Sequence, residues 1–522
     1  MDPKQKKYIL ENINKKSIKE IASSLGIKVK KVKKFLDKKE LFSNVEKTLS
    51  KKEATFRIPD KVKKIALFLP IGLILIATFM CYSNLISRNE QGNFTHMIKW
   101  DIFDFTYPLL IFNSDCIRSF LFPFWNPYTF GGMPYASNPQ VGLFNPINLL
   151  VILLKGYSLE LLQIQVFVTF FIAGINMYVC LKNFSLSTIA SLIGAVSFLG
   201  CGFFVGNTEH FSHINALALF PLALMLVNKL INTPNLYNLS FGALIIPLLV
   251  FCGYPGILII FLYALFIFGM LKIFFIDKNL RTVVVSKKLL YFLSFFVLGL
   301  CTSGVLLIPA FENALLSVRE AGAPLESVRL NSLPFVYLTD IWYPFLALKN
   351  FPKVSIDIAL RNCTIGLVGL FFAIYYLIFN KTRLKWSLFS LLLASLIMAL
   401  GTNTPLYLPI IKFVPFVKHI RHPSLDYRAL FLFFSCVLAG FGAGDMLQGN
   451  GNVFKKSLTC FVIFFLTALS MAFYIKSKYG IEIMELIIKN YPFMLLSSVF
   501  LLIMVILTRS PYKKWLGISF LV

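Results

Sequence analysis

The chain has 522 residues, a formal net charge of +27, 57% hydrophobic and 16% aromatic residues, and only 14% charged ones. A mean hydropathy of +0.74 leaves more apolar surface than a water-soluble fold of this length could bury, which excludes a soluble globular enzyme. The apolar runs are too long for barrel strands and lack two-residue alternation, so an all-α polytopic membrane protein is expected.

Residues 1–64 form a separate basic segment carrying +12 of the total charge. Its stretch Ser17 to Ile27, with Ala22 and Gly26, followed by Val32, Phe35 and Leu36, fits helix-turn-helix spacing. The lysine run from Lys28 to Lys39 has no arginine for guanine readout and a single aromatic, Phe35, and it would lie near an anionic inner leaflet. A small helical head held on lipid or a protein partner is therefore favoured over DNA binding. The first apolar run directly follows Lys61, Lys63 and Lys64, which predicts a cytoplasmic N-terminus.

Residues 65–522 form the membrane domain, with spans expected near 65–87, 160–181, 186–205, 215–232, 239–253, 256–275, 289–310, 362–380, 385–401, 427–446, 457–475 and 492–508. This bundle of about twelve helices puts Lys182, Lys229, Arg281, Arg383, Lys456 and Arg509 in short inner linkers, as the positive-inside rule requires. The short pair flanking Gly253 and Gly256 leaves a re-entrant hairpin open. Of the acidic residues after position 64, all but Asp277 and Asp445 then fall on the outer side, as do all five histidines. That gathers the acid–base groups on one face.

The first outer loop, 88–159, combines Asp101, Asp104 and Asp115 with Trp125-Asn126-Pro127 and Gly131-Gly132 turns, the ingredients of a preorganised site. Carboxylates beside Arg and His at a bilayer suit deprotonation of a hydroxyl nucleophile and binding of a phosphorylated leaving group. Asp101 has a plainer role open to it as the cap of a helix beginning at Ile102. His210 and the adjoining Glu209 stand in a short outer loop, where they could bond a sugar hydroxyl or phosphate. Residues 412–428 form a basic, proline-punctuated stretch that suits a phosphate clamp at Arg421 and Arg428, while Lys412 and Lys418 serve membrane attraction. Arg319 is a third phosphate candidate. The nine cysteines include no Cys-x-x-Cys pair and read as small core residues. No phosphate-binding Gly-x4-Gly-Lys loop or Rossmann glycine pattern occurs, which argues against an ATP-driven transporter or a soluble nucleotide-sugar domain.

Asp101, Tyr107-Pro108, Asp115, Arg118, Trp125-Asn126-Pro127-Tyr128, Phe130-Gly131-Gly132, Asn138-Pro139-Gln140 and Pro146-Ile147-Asn148-Leu149-Leu150 resemble the first outer loop of the bacterial YfhO-type membrane proteins. Gly202-Phe203, His210, Pro309, Arg319, Arg421, Pro423, Arg428 and Leu438-Ala439-Gly440-Phe441-Gly442 continue the likeness in order. The resemblance implies a GT-C-like glycosyltransferase. Such an enzyme moves a sugar from a polyprenyl-phosphate donor to an extracytoplasmic envelope polymer or glycolipid. It gives Asp101, with Asp104 in reserve, the role of general base on the acceptor hydroxyl. A divalent cation, Mg or Mn, held by Asp101 is the other role it leaves open. Substrate contacts are expected from His210, Glu209, Arg421, Arg428, Arg319, Trp125, Asn126 and Gln140. Where the family often has Gly-His-Pro-Gln, this chain has Gly253-Tyr254-Pro255-Gly256. A flippase of lipid-linked sugars and a membrane-tethered DNA-binding regulator are the alternative readings.

Overall fold

The computed structural model describes residues 23–26, 60–277, 281–316, 322–349, 351, 356–448, 452–490 and 492–507. The chain divides into two compact units, Met1–Leu69 and Pro70–Val522. In the first, Gly26, the residue expected at the turn, takes a left-handed φ of 62°. The rest of the predicted helix-turn-helix lies outside the described residues, apart from Ser23, Ser24 and Leu25.

The second unit is an all-α bundle, with nine described helices long and apolar enough to cross a membrane and four shorter apolar ones, Leu236–Val250, Gly304–Leu315, Leu367–Phe379 and Met494–Ile503. Pro423–Gln448 is its axis, buried over nearly its whole length. It packs against the helices Thr188–Leu199, Leu367–Phe379 and Arg383–Leu400. Small residues permit this closeness: a β-carbon at Gly442 would lie 1.9 Å from the carbonyl oxygen of Phe372, so only glycine fits.

Three predicted spans change form. The span expected at 289–310 is two helices, Thr282–Thr302 and Gly304–Leu315. Thr302 and Ser303 donate their hydroxyls back to the carbonyls of Leu298 and Gly299, and Gly304 and Pro309 follow, a combination that interrupts a helix. The span expected at 362–380 begins only at Leu367, because Gly366 has a left-handed φ of 74°. Leu236–Val250 is 15 residues long, about 22 Å at ~1.5 Å per residue, short of the ~30 Å bilayer core.

The loop after the first span is built rather than loose. Asn138 accepts from the backbone N–H of Gln140 at 3.0 Å, and Asn145 caps the helix Pro146–Leu154 through the N–H groups of Ile147 and Asn148. Asn148 accepts from Gln165 Nε2 at 2.8 Å and donates to Gly142 O at 3.0 Å. Gln163 donates to the carbonyls of Leu85 and His96, tying the start of the loop to the helix Leu159–Asn183, into which its other end runs. These bonds give the asparagines of the loop motif a structural purpose.

At the far end of the bundle Asp277 pairs with Lys272 at 3.1 Å and with Lys288, and Asp445 accepts from Asn380. Asp101, Glu209, His210, His213 and Asp426 gather at the opposite end, the one that carries the first loop.

Candidate functional site

Four helix ends meet at that end of the bundle. The helix Gly202–Gly206 closes there and Phe211–Asn232 begins, leaving Glu209 and His210 in the turn between them. Pro423–Gln448 begins there as well, and so does Pro255–Leu271, whose first position suits proline because its N–H has no helical partner. The first loop reaches this junction through Asp101.

Asp101 Oδ2 lies 3.7 Å from His210 Nε2, and His210 Nδ1 lies 3.8 Å from Glu209 Oε1. These are long contacts, close enough for electrostatic coupling and open enough to admit a hydroxyl. The Asp101 side chain is 65% exposed whereas those of His210 and Glu209 are largely buried. Asp101 stands at the start of the π-helical turn Ile102–Thr106 yet makes no capping hydrogen bond with its side chain. Trp100 before it has φ 62°, and its carbonyl accepts from the N–H groups of Phe103 and Asp104. A bulky residue in the left-handed region is strained, which is characteristic of a position fixed for function.

The cluster continues inward. The rings of His210 and His213 are 5.3 Å apart, edge to face, and Tyr254 stacks on His213 at 4.0 Å. His213 Nε2 is 3.5 Å from Asp426 Oδ1. His213 is nearly buried and Asp426 wholly so. Among the described residues, His210 Nδ1, His213 Nε2, His422 Nδ1 and both Asp426 carboxylate oxygens have no hydrogen-bond partner. A β-carbon at Gly256 would come 2.9 Å from Asp426 Oδ2 and 2.7 Å from the Tyr254 ring, so glycine is what lets the carboxylate sit there.

Environment sets the charge states of the outer groups. Burial, with Asp357 and Asp101 nearby, raises Glu209 to about 7. Burial, reinforced by His213, lowers His210 to about 4, and burial lowers His422 to about 4. At neutral pH both histidines are therefore neutral and can each donate one proton and accept another.

The other predicted residues distribute differently. Asp104 is exposed in the π-helical turn, and no ion pair joins it to the cluster among the described residues. Arg421 donates from Nε to Ser327 Oγ at 3.0 Å and is exposed. Arg428 is not beside it: Arg428 is wholly buried, donating to the carbonyls of Asn362, Ala359 and Ser424 and lying over the Phe203 ring. The expected Arg421–Arg428 fork is thus replaced by one exposed guanidinium and one carbonyl cage. Arg319 lies outside the described residues. Asn126 is buried and spends its side chain on Tyr128 N and Thr129 Oγ1. Trp125 lies against Gly132. Gln140 stands where the loop meets the bundle: a β-carbon at Gly253, which has φ 102°, would be 2.6 Å from Pro139 O and 3.3 Å from Gln140 Cα. For a cation, no group of three or more His, Cys, Asp or Glu side chains with ligating geometry occurs among the described residues.

Sequence reasoning missed His213, Tyr254, Asp357 and Asp426 as members of this site. One signal was available: Asp426 is an ionisable residue at the head of a long apolar run, and such residues are expensive enough to imply a use.

No curated protein matches the chain. The profile of the family described as bacterial membrane protein YfhO matches residues 142–522. The matched region begins after Asp101, and it holds Glu209, His210, His213, Tyr254, Asp426 and Arg428. A match over more than half of the sequence establishes that this chain belongs to the YfhO family of bacterial membrane proteins.

Proposed function

We propose that this protein is a membrane glycosyltransferase of GT-C type. It takes a sugar from a polyprenyl-phosphate donor and passes it to an envelope polymer or glycolipid on the extracytoplasmic side, with its N-terminus in the cytoplasm. The observation that carries the reading is the 3.7 Å approach of Asp101 to His210. It joins an accessible carboxylate from the loop to a histidine of the bundle that burial keeps neutral.

In the proposed reaction Asp101 accepts the proton of the acceptor hydroxyl as that oxygen attacks the anomeric carbon. The bond from that carbon to the phosphate oxygen breaks, and polyprenyl phosphate leaves with the electron pair. Arg421, exposed and already oriented by Ser327, is suited to meet its charge. Neutral His210 orients Asp101 and can bond a sugar hydroxyl, and Glu209 is a second carboxylate within its reach.

A flippase for lipid-linked sugars is the rival reading, favoured by one observation: Asp426 and His213 lie within apolar helices. Both remain in the first turn of their helices, whereas a translocation path needs polar groups through the bilayer depth.

The test is transfer of labelled sugar from a polyprenyl-phosphate donor by purified, lipid-reconstituted protein, comparing wild type with Asp101→Asn while monitoring donor binding. Loss of transfer by about 10²–10⁴-fold with binding retained supports a general base. Equal transfer by both proteins removes Asp101 from the chemistry, and donor crossing the bilayer without transfer supports the flippase.

A further inference from the structure

The loop tip between Ser119 and Phe130 presents its rings outward. Phe120, Tyr128 and Phe130 are 99%, 85% and 92% exposed, and Phe122, Phe124 and Trp125 are exposed as well. Phe120 and Phe130, the two most exposed, have left-handed φ values of 56° and 54°, a strained conformation for aromatic residues. The tip is nevertheless held firmly. Trp125–Asn126 pairs antiparallel with Met133–Pro134, Tyr135 N–H donates to Phe124 O at 2.8 Å, and buried Tyr135 donates its hydroxyl to Leu109 O at 2.6 Å. Gly132, with φ 115°, leaves no room for a β-carbon, which would meet the Trp125 indole at 2.6 Å. A firm scaffold that turns rings away from its own protein marks a contact surface.

Two observations identify the occupant. A chain of rings runs from Phe124 to Phe122 at 4.5 Å, from Phe122 to Phe144 at 6.3 Å and from Phe144 to Phe251 at 5.8 Å. Phe251 directly follows the apolar helix Leu236–Val250, so ring contacts join the tip to the level at which that helix ends. The chain also carries no acidic residue between Asp115 and Glu160, which removes like-charge repulsion from anionic headgroups. Tyr and Trp at such a level favour the membrane interface, where ring bodies are apolar and their polar tips wet.

We propose that the 119–130 tip is a membrane-docking element whose aromatic rings enter the headgroup–acyl boundary of the bilayer around the bundle. The occupant is bulk lipid rather than the sugar donor, so the inference holds whether or not the protein transfers sugar. It adds a lipid attachment to the loop's ties with its own protein at Gln163, Gln165 and Gly253, and so steadies the loop that carries Asp101.

The experiment uses the full chain with Trp100→Phe, Trp342→Phe, Trp386→Phe and Trp515→Phe, which leaves Trp125 as the only tryptophan. It is reconstituted in phosphatidylcholine–phosphatidylglycerol vesicles containing lipids brominated at graded depths. Blue-shifted Trp125 emission, quenched more strongly by shallow than by deep bromines and poorly by aqueous iodide, is the expected result. Quenching by iodide but not by bromolipid overturns the proposal, and so does shielding from both, which would mean that protein covers the tip. Wild-type protein in nanodiscs provides an independent check by hydroxyl-radical footprinting. After correction for intrinsic side-chain reactivity, Phe120, Tyr128 and Phe130 should be protected relative to the exposed turn at 89–93, and equal corrected labelling of the two segments sinks the idea.

Discussion

Asp426 and Arg428 stand two residues apart on one helix, both wholly buried, and the protein treats them in opposite ways. The Arg428 guanidinium donates to the carbonyls of Asn362, Ala359 and Ser424 and covers Phe203, joining three separate stretches of chain. The Asp426 carboxylate has His213 Nε2 at 3.5 Å and no hydrogen-bond partner among the described residues. A buried charge whose bonds are satisfied holds a fold together, whereas one left short of partners weakens the fold and is retained for another reason. Hydrogen-bond accounting, not burial, separates the two.

The comparison is most exposed to failure at Arg428. Arg428→Met removes three donors at once and strands carbonyls that water cannot reach, so a loss on the order of 3–5 kcal/mol is expected. Arg428→Lys should recover little of it, because a point ammonium cannot reproduce the planar fork. Thermal unfolding in detergent measures both, and a loss under about 1 kcal/mol for the Met variant would show that the cage is not structural.

The opposite sign is expected two residues away. Asp426→Leu removes a carboxylate that lacks hydrogen-bond partners, so stability should hold or rise by about 1–3 kcal/mol. The proposed sugar transfer should fall in the same variant, because His213 loses the group that faces its Nε2 and the imidazole pair behind Asp101 loses its orientation. A stability loss as large as that of Arg428→Met would make the two sites alike and void the contrast.

The same contrast explains how much of the molecule can be read from its sequence. Apolar run length locates the helices, because a span must satisfy its backbone internally over the bilayer thickness. It does not reveal the break at Ser303, since hydroxyl back-bonding and a following glycine barely alter hydropathy. In the loop, turn residues advertise themselves, and so Asp101 stands out. His213 and Asp426 are separated by more than two hundred positions and embedded in apolar runs, so only the packing of two helix N-termini brings them together. Arg421 and Arg428 look equivalent in the sequence, and the fold separates them: one falls before the Pro423 helix and the other in its second turn.

A smaller effect sharpens the comparison from the pH side. His210 and His422 are lowered from 6.5 to about 4 by burial, so between those values the unfolded chain binds protons that the folded one refuses. Each should therefore cost about 1.4 kcal/mol of stability per pH unit as pH falls through that window. Glu209 runs the other way. Raised from 4.5 to about 7 by burial, it contributes stability that is complete below 4.5 and lost as pH rises through 7. The two histidines outnumber it between about 4.5 and 6.5, so the joint contribution of these three groups declines toward acid there. His210→Gln should remove one histidine's share of that slope and leave the hydrogen bonds of the Arg428 cage in place. Unfolding midpoints measured from pH 4 to 8 decide the matter: an unchanged slope in His210→Gln would mean that His210 is already protonated in the fold, and that its approach to Asp101 is a closed ion pair rather than a neutral, receptive site.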